Sequence, residues 1–239
     1  MMNNQEIARD CRIYLTANRV GLIAVIAVLG DLLLTLLGNL ISPIIGGAIF
    51  SFEASVFSSV MLGMLYQVIV FDRKNLGIFA YFSDFRLFWL LTKIAFLQSV
   101  FILLWTILLI IPGIVKGYAY MQAVPKAIDD YENGRDMQSA MNYIRWSRDR
   151  MKGYKGQLFM LLLPCYGLIF VISIVIFIAV QFITHLNLAD MVNEGTTFSI
   201  LAPTLISAIP CLIVVPTIMV RQVVFAKDLI QNQEHINVS

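Results

Sequence analysis

The sequence predicts an all-α protein: a polytopic transmembrane helical bundle of about six spans, with short amphipathic helices at its surface. Three observations lead there. First, 59% of the 239 residues are hydrophobic and only 13% are charged, against about 45–50% and about 25% in soluble domains. A soluble chain this poor in charge would expose large apolar patches, whereas a bilayer lets the outer surface meet hydrocarbon. Second, the apolar residues fall into runs of about 20, the length a spanning helix needs. Third, lysine and arginine gather in alternate connections, which orients the runs. The net charge of +2 gives no reason to expect nucleic-acid binding, and the length suits one integral membrane domain over 1–239.

Segment 1–19 carries Glu6, Arg9, Asp10, Arg12 and Arg19. Read as a helix it puts Ile7, Cys11, Tyr14 and Leu15 on one face, which predicts an amphipathic helix on the membrane surface. The apolar run behind it is too long for a signal-peptide core and lacks a small-x-small cleavage site, so no cleavable leader is expected. Spans 1–4 occupy 20–128. The first run, 20–41, is interrupted by Asp31 and Asn39. The second, 44–71, follows Pro43, which is placed to open a helix, and contains Glu53 and Gln67. A polar connection reaches to about Arg86, and the third run, 87–111, ends at Pro112-Gly113. Segment 114–128 holds Lys116, Gln122, Pro125 and Lys126. Its apolarity fits either a fourth span or a re-entrant segment.

Residues 129–155 form a basic connection in which Asp136 is expected to cap a surface helix running to Met151. Met137, Ala140, Met141 and Ile144 would share its apolar face, and Gly153 would mark a turn. Spans 5 and 6 fall within 156–227, and 228–239 is a polar tail. With six spans and both termini cytoplasmic, the inner connections hold the basic residues, from Arg9 to Arg19, Arg73 to Arg86 and Lys126 to Lys155. The outer connections around Ser42, around Pro112 and over 185–197 hold none. Were 114–128 not to cross, the basic block after it would lie outside, so the charge pattern favours crossing.

Trp105, Pro112, Gly113, Lys116, Tyr118 and Tyr120 form one distinctive cluster. Ser147, Arg148, Met151, Lys152, Gly153 and Lys155 form a second, and Glu6, Arg12, Leu15 and Asn18 a third. In this order they resemble the bacterial integral membrane proteins grouped as domain of unknown function 975. The resemblance implies a polytopic bundle in a bacterial cytoplasmic membrane and no established reaction.

Catalytic chemistry needs a positioned nucleophile and base, or a metal. The two histidines, His185 and His235, belong to an outer loop and the tail, and no HExxH, GxSxG or P-loop occurs. Cys11, Cys165 and Cys211 make no CxxC pair. No enzyme activity, cofactor or metal site is expected. The expected role is non-enzymatic: binding a membrane component, a peptide or a partner protein in an accessory or immunity-type capacity, with membrane lipids as neighbours. A small transporter or channel with a polar path between helices is the alternative. Gly30, Gly38 and Gly46-Gly47 are expected to let helices pack closely. Asp31, Glu53 and Lys116 form the candidate intramembrane polar site. A charge near the bilayer centre costs about 2.5–3.5 kcal/mol, so Lys116 is expected to be neutralised by Glu53 or Asp31 inside the bundle.

Overall fold

The computed structural model describes residues 4–16, 18–41, 45–72, 84–184 and 197–238, and all the regular structure among them is α-helical. The helices are α1 (Asn4–Thr16), α2 (Asn18–Ile41), α3 (Ile45–Phe71), α4 (Phe85–Leu108), α5 (Ile110–Tyr120), α6 (Ala123–Glu132), α7 (Ala140–Arg150), α8 (Lys155–Thr184) and α9 (Thr197–Val238). One contiguous core joins them. It is built from the second half of α3 (Met61, Leu65, Tyr66), the start of α4 (Leu87, Leu91, Ile94), α6 and α7, the start of α8 (Leu158, Leu162) and the second half of α9 (Val220, Val223, Phe225).

Among the described residues, two helical stretches are long and apolar enough to cross a membrane, Phe85–Leu108 and Lys155–Ile176. Their most apolar windows are only 22% and 17% buried. A core helix of a soluble protein would be mostly buried; here Leu103, Leu104 and Ile107 on α4 and Phe170, Val171 and Val175 on α8 all point outward.

Several boundaries differ from expectation, each for a local reason. The third apolar run breaks at Leu109, in extended conformation, rather than at Pro112. A proline ring clashes with the carbonyl four residues before it, so the interruption falls before the proline. Pro112 itself sits in the first turn of α5, where its missing N–H costs nothing. Segment 114–128 is likewise two helices, α5 and α6, parted at Met121–Gln122. The helix over the basic connection starts at Ser139, whose Oγ accepts from Asn142 N at 3.3 Å. Asp136 precedes it and is exposed. The expected apolar face is docked: Ala140, Tyr143 and Ile144 are buried and Met141 is half-buried. Helix α9 continues through the expected polar tail, because Leu229 and Ile230 give that segment a buried face. In α1, Ile7 and Cys11 are fully buried in the common core, so that part of the amphipathic face meets helices rather than a lipid surface. Burial pushes the Cys11 thiol up to about 12.

Close approach at Gly30 matches the expected small-residue packing, the side-chain surroundings of Gly38, Gly46 and Gly47 lie outside the described residues, and Gly113 is a further close approach. A methyl group at Gly30 would run into the Phe57 ring of α3, with Cζ 2.5 Å away. At Gly113 it would meet Thr106 at the end of α4, with Cα 2.9 Å away. The Phe57 ring can swing aside, whereas Thr106 Cα is backbone. Gly113→Ala is therefore expected to destabilise the protein by about 1–3 kcal/mol and Gly30→Ala by less, as read by thermal unfolding of the two purified variants.

Candidate functional site

The interruption between α5 and α6 releases backbone groups that a continuous helix would pair internally. Side chains from three other elements satisfy them. Ser147 Oγ of α7 donates to Ala119 O at 2.8 Å and accepts from Gln122 N at 3.1 Å. Gln98 Nε2 of α4 donates to Tyr120 O at 2.7 Å, and Gln222 Nε2 of α9 donates to Met121 O at 3.2 Å. Non-helical backbone is tolerated at membrane depth only where protein or water takes up its polar groups. Gln122 is fully buried, and its side-chain amide has no hydrogen-bond partner among the described residues. Beside the interruption lies a cavity of about 200 Å³, walled by Ser55, Ser58 and Ser59 of α3 with Gln98 and Gln222.

Helix α8 runs without a break past Pro164, and Arg221 of α9 donates through Nη1 to Leu161 O, three residues before the proline, at 2.6 Å.

Helix α6 carries a buried charge cluster. Lys126 Nζ lies 2.9 Å from Asp130 Oδ1 and 3.4 Å from Asp129 Oδ2. Arg135 Nη1 lies 3.0 Å from Asp129 and 3.2 Å from Asp130. Two cations thus face two carboxylates, and Tyr66 of α3 donates its hydroxyl to Asp129 at 3.3 Å. The ring of Trp146 covers Lys126 at 5.6 Å, and Gln67 donates to Glu132. Gly134, with φ of +66°, turns the chain so that Arg135 N can reach Asp130 O at 2.8 Å.

One more contact ties α6 to α4. Tyr131 donates its hydroxyl to Asp84 Oδ2 at 2.6 Å, while Asp84 also accepts from Arg86 N and Leu87 N and so caps α4. The Tyr131 hydroxyl first, and then these amides, hold the Asp84 carboxyl below the usual carboxylate range. A folded value below the unfolded one adds stability that is present above the unfolded pKa and lost as pH falls through the folded one. Tyr131→Phe is expected to cost about 1 kcal/mol at neutral pH. The gap to the parent should close as pH falls below about 3.9, as measured by unfolding free energy against pH.

The residues singled out in the sequence fall in several places. Lys116 lies over the Trp105 ring, 4.6 Å from its centroid. The side chains of Asp31 and Glu53 lie outside the described residues, and so does any pairing of Lys116 with them. Trp105, Pro112 and Gly113 form the α4–α5 corner. Tyr118 packs edge-on against Phe159 of α8 at 5.9 Å, and Tyr120 is buried 5.9 Å from Phe101. Arg148 and Lys152 pair with Asp149 on the surface at 3.1 and 3.0 Å; Arg148 first, and then Lys152, pulls its carboxyl down to about 2. Gly153 makes the expected turn, with φ of +86°. His185 and the loop around it lie outside the described residues. No group of three or more His, Cys, Asp or Glu able to hold a metal occurs among the described residues. Sequence reasoning passed over the joint role of Gln98, Ser147 and Gln222. The available signal was a glutamine in each of two apolar runs, since such a residue needs a partner.

No protein-family model, curated protein sequence or solved structure matches this chain.

Proposed function

We propose that this chain is a non-enzymatic integral membrane protein that acts by binding a membrane component, a peptide or a partner protein. In this reading α2, α3, α4, the α5–α6 pair, α8 and α9 are six spans of a bacterial cytoplasmic membrane protein, with both termini cytoplasmic. The α5–α6 pair covers 110–132, long enough at about 1.5 Å per residue for a hydrocarbon core of about 30 Å. The resemblance to domain of unknown function 975, carried by the Trp105–Tyr120 and Ser147–Lys155 clusters, belongs to the same proposal. The observation that carries it is the contrast between inside and outside. The backbone groups released at the helix break are taken up by Gln98, Ser147 and Gln222 and the α6 charges pair with one another, while α4 and α8 turn broad apolar faces outward. Contacts made through the outer surface are what such an arrangement leaves available.

Transport is the second reading, and the polar cavity beside the Met121–Gln122 break favours it, since transporters place solute sites at discontinuous helices. Affinity purification from native membranes and flux in reconstituted proteoliposomes separate the two. Recovery of a defined partner without solute flux supports binding. Saturable flux abolished by Gln98→Leu supports transport and overturns the binding reading.

A further inference from the structure

We propose that the groove between the first turns of α4 and the chain entering α7 binds an anionic phospholipid. The proposal deepens the binding role above and rests on α4 crossing a membrane. The groove encloses about 440 Å³ between Phe85, Arg86, Trp89, Leu90 and Lys93 on one side and residues 137–140 on the other. Its chemistry is divided. Phe85 and Trp89 are 73% and 49% exposed, stacked with ring centroids 6.3 Å apart and planes within 7°. Arg86 and Lys93, seven residues apart, share one helix face, and neither has a carboxylate at ion-pair distance among the described residues. The nearest acid in sequence, Asp84, is occupied by Tyr131 and the two helix amides.

Lys93 lies two turns inside the apolar helix, yet its ammonium is 5.4 Å from the Trp89 ring, one turn back toward the helix start. Helical side chains lean that way, and here the lean carries the charge toward the headgroup level. Trp89, Phe96 and Leu103 recur at seven-residue spacing and are 49%, 52% and 59% exposed. They form an apolar stripe running from the groove along α4. A free phosphate would use the cations but not the stripe. A phospholipid uses both, with its phosphate between Arg86 and Lys93 and an acyl chain along Trp89 and Phe96.

The test uses the full chain in liposomes, with acyl-brominated phosphatidylglycerol or phosphatidylcholine as fluorescence quencher. In one variant Trp105→Phe and Trp146→Phe leave Trp89 as the reporter. In a companion, Trp89→Phe and Trp146→Phe leave Trp105. Brominated phosphatidylglycerol is expected to quench Trp89 at a lower mole fraction than brominated phosphatidylcholine. That preference should fall about 5-fold with Arg86→Gln or Lys93→Gln and about 25-fold with both, and survive Arg145→Gln on α7. Trp105 should be quenched by both lipids alike. Equal quenching of Trp89 by the two lipids, or a preference unchanged in the double variant, overturns the lipid site while the Trp105 signal still reports insertion. No quenching of Trp105 by either lipid overturns the membrane reading itself.

Discussion

Lys126→Met is expected to lower stability by about 3–5 kcal/mol, the cost of removing one partner from a buried ion cluster. Lys126 bridges Asp129 and Asp130, whose side chains are 7% and 5% exposed. Without it Arg135 alone faces two carboxylates, and at 42% exposure it is partly solvated. Asp130→Asn in the same background removes the surplus charge and is expected to recover part of the loss, so the two changes should be clearly non-additive. Chemical unfolding followed by circular dichroism measures both. A loss below about 1 kcal/mol, the range of surface pairs, would mean that water reaches the cluster.

Phe96→Arg and Phe170→Arg carry the second large effect. Phe96 lies at the middle of α4 and Phe170 at the middle of α8, and both are more than half exposed. If these faces meet hydrocarbon, each arginine costs about 2.5–3.5 kcal/mol of insertion free energy and the membrane-integrated fraction drops sharply. If they meet water, arginine removes an exposed apolar group and the soluble yield rises. Gln138→Arg, on the polar connection, should leave integration unchanged in either case. The fraction of newly made protein resisting alkaline extraction from membranes reads all three.

Much of the architecture is legible in the apolar runs. The expected 20–41 and 44–71 differ from α2 and α3 by a few residues, because long apolar stretches leave few alternatives to helix. The breaks were harder. Pro112 and Pro125 both signal interruptions, but the steric effect of each acts one turn earlier, so the breaks fall at Leu109 and at Met121–Gln122. The second is stabilised by Ser147, Gln98 and Gln222, which arrive from remote elements to take the released groups, and periodicity carries no information about which remote residues converge. The start of α7 shows a related limit. Asp136 and Ser139 are both good caps, and docking of Ala140, Tyr143 and Ile144 favours the second. The Lys126–Asp129–Asp130–Arg135 cluster has the same origin: its spacing reads as a solvated helix face until α3 and α7 cover it.

The central claim, a multi-span protein with its basic connection inside, is tested most directly by labelling two cysteines in intact cells. Cys11, Cys165 and Cys211 are first replaced, and single cysteines are placed at Ser139 and at Ser42. A membrane-impermeant maleimide should label the Ser42 position in intact cells and the Ser139 position only after permeabilisation. Labelling of the Ser139 position from outside, or both positions reacting from the same side, would contradict the account.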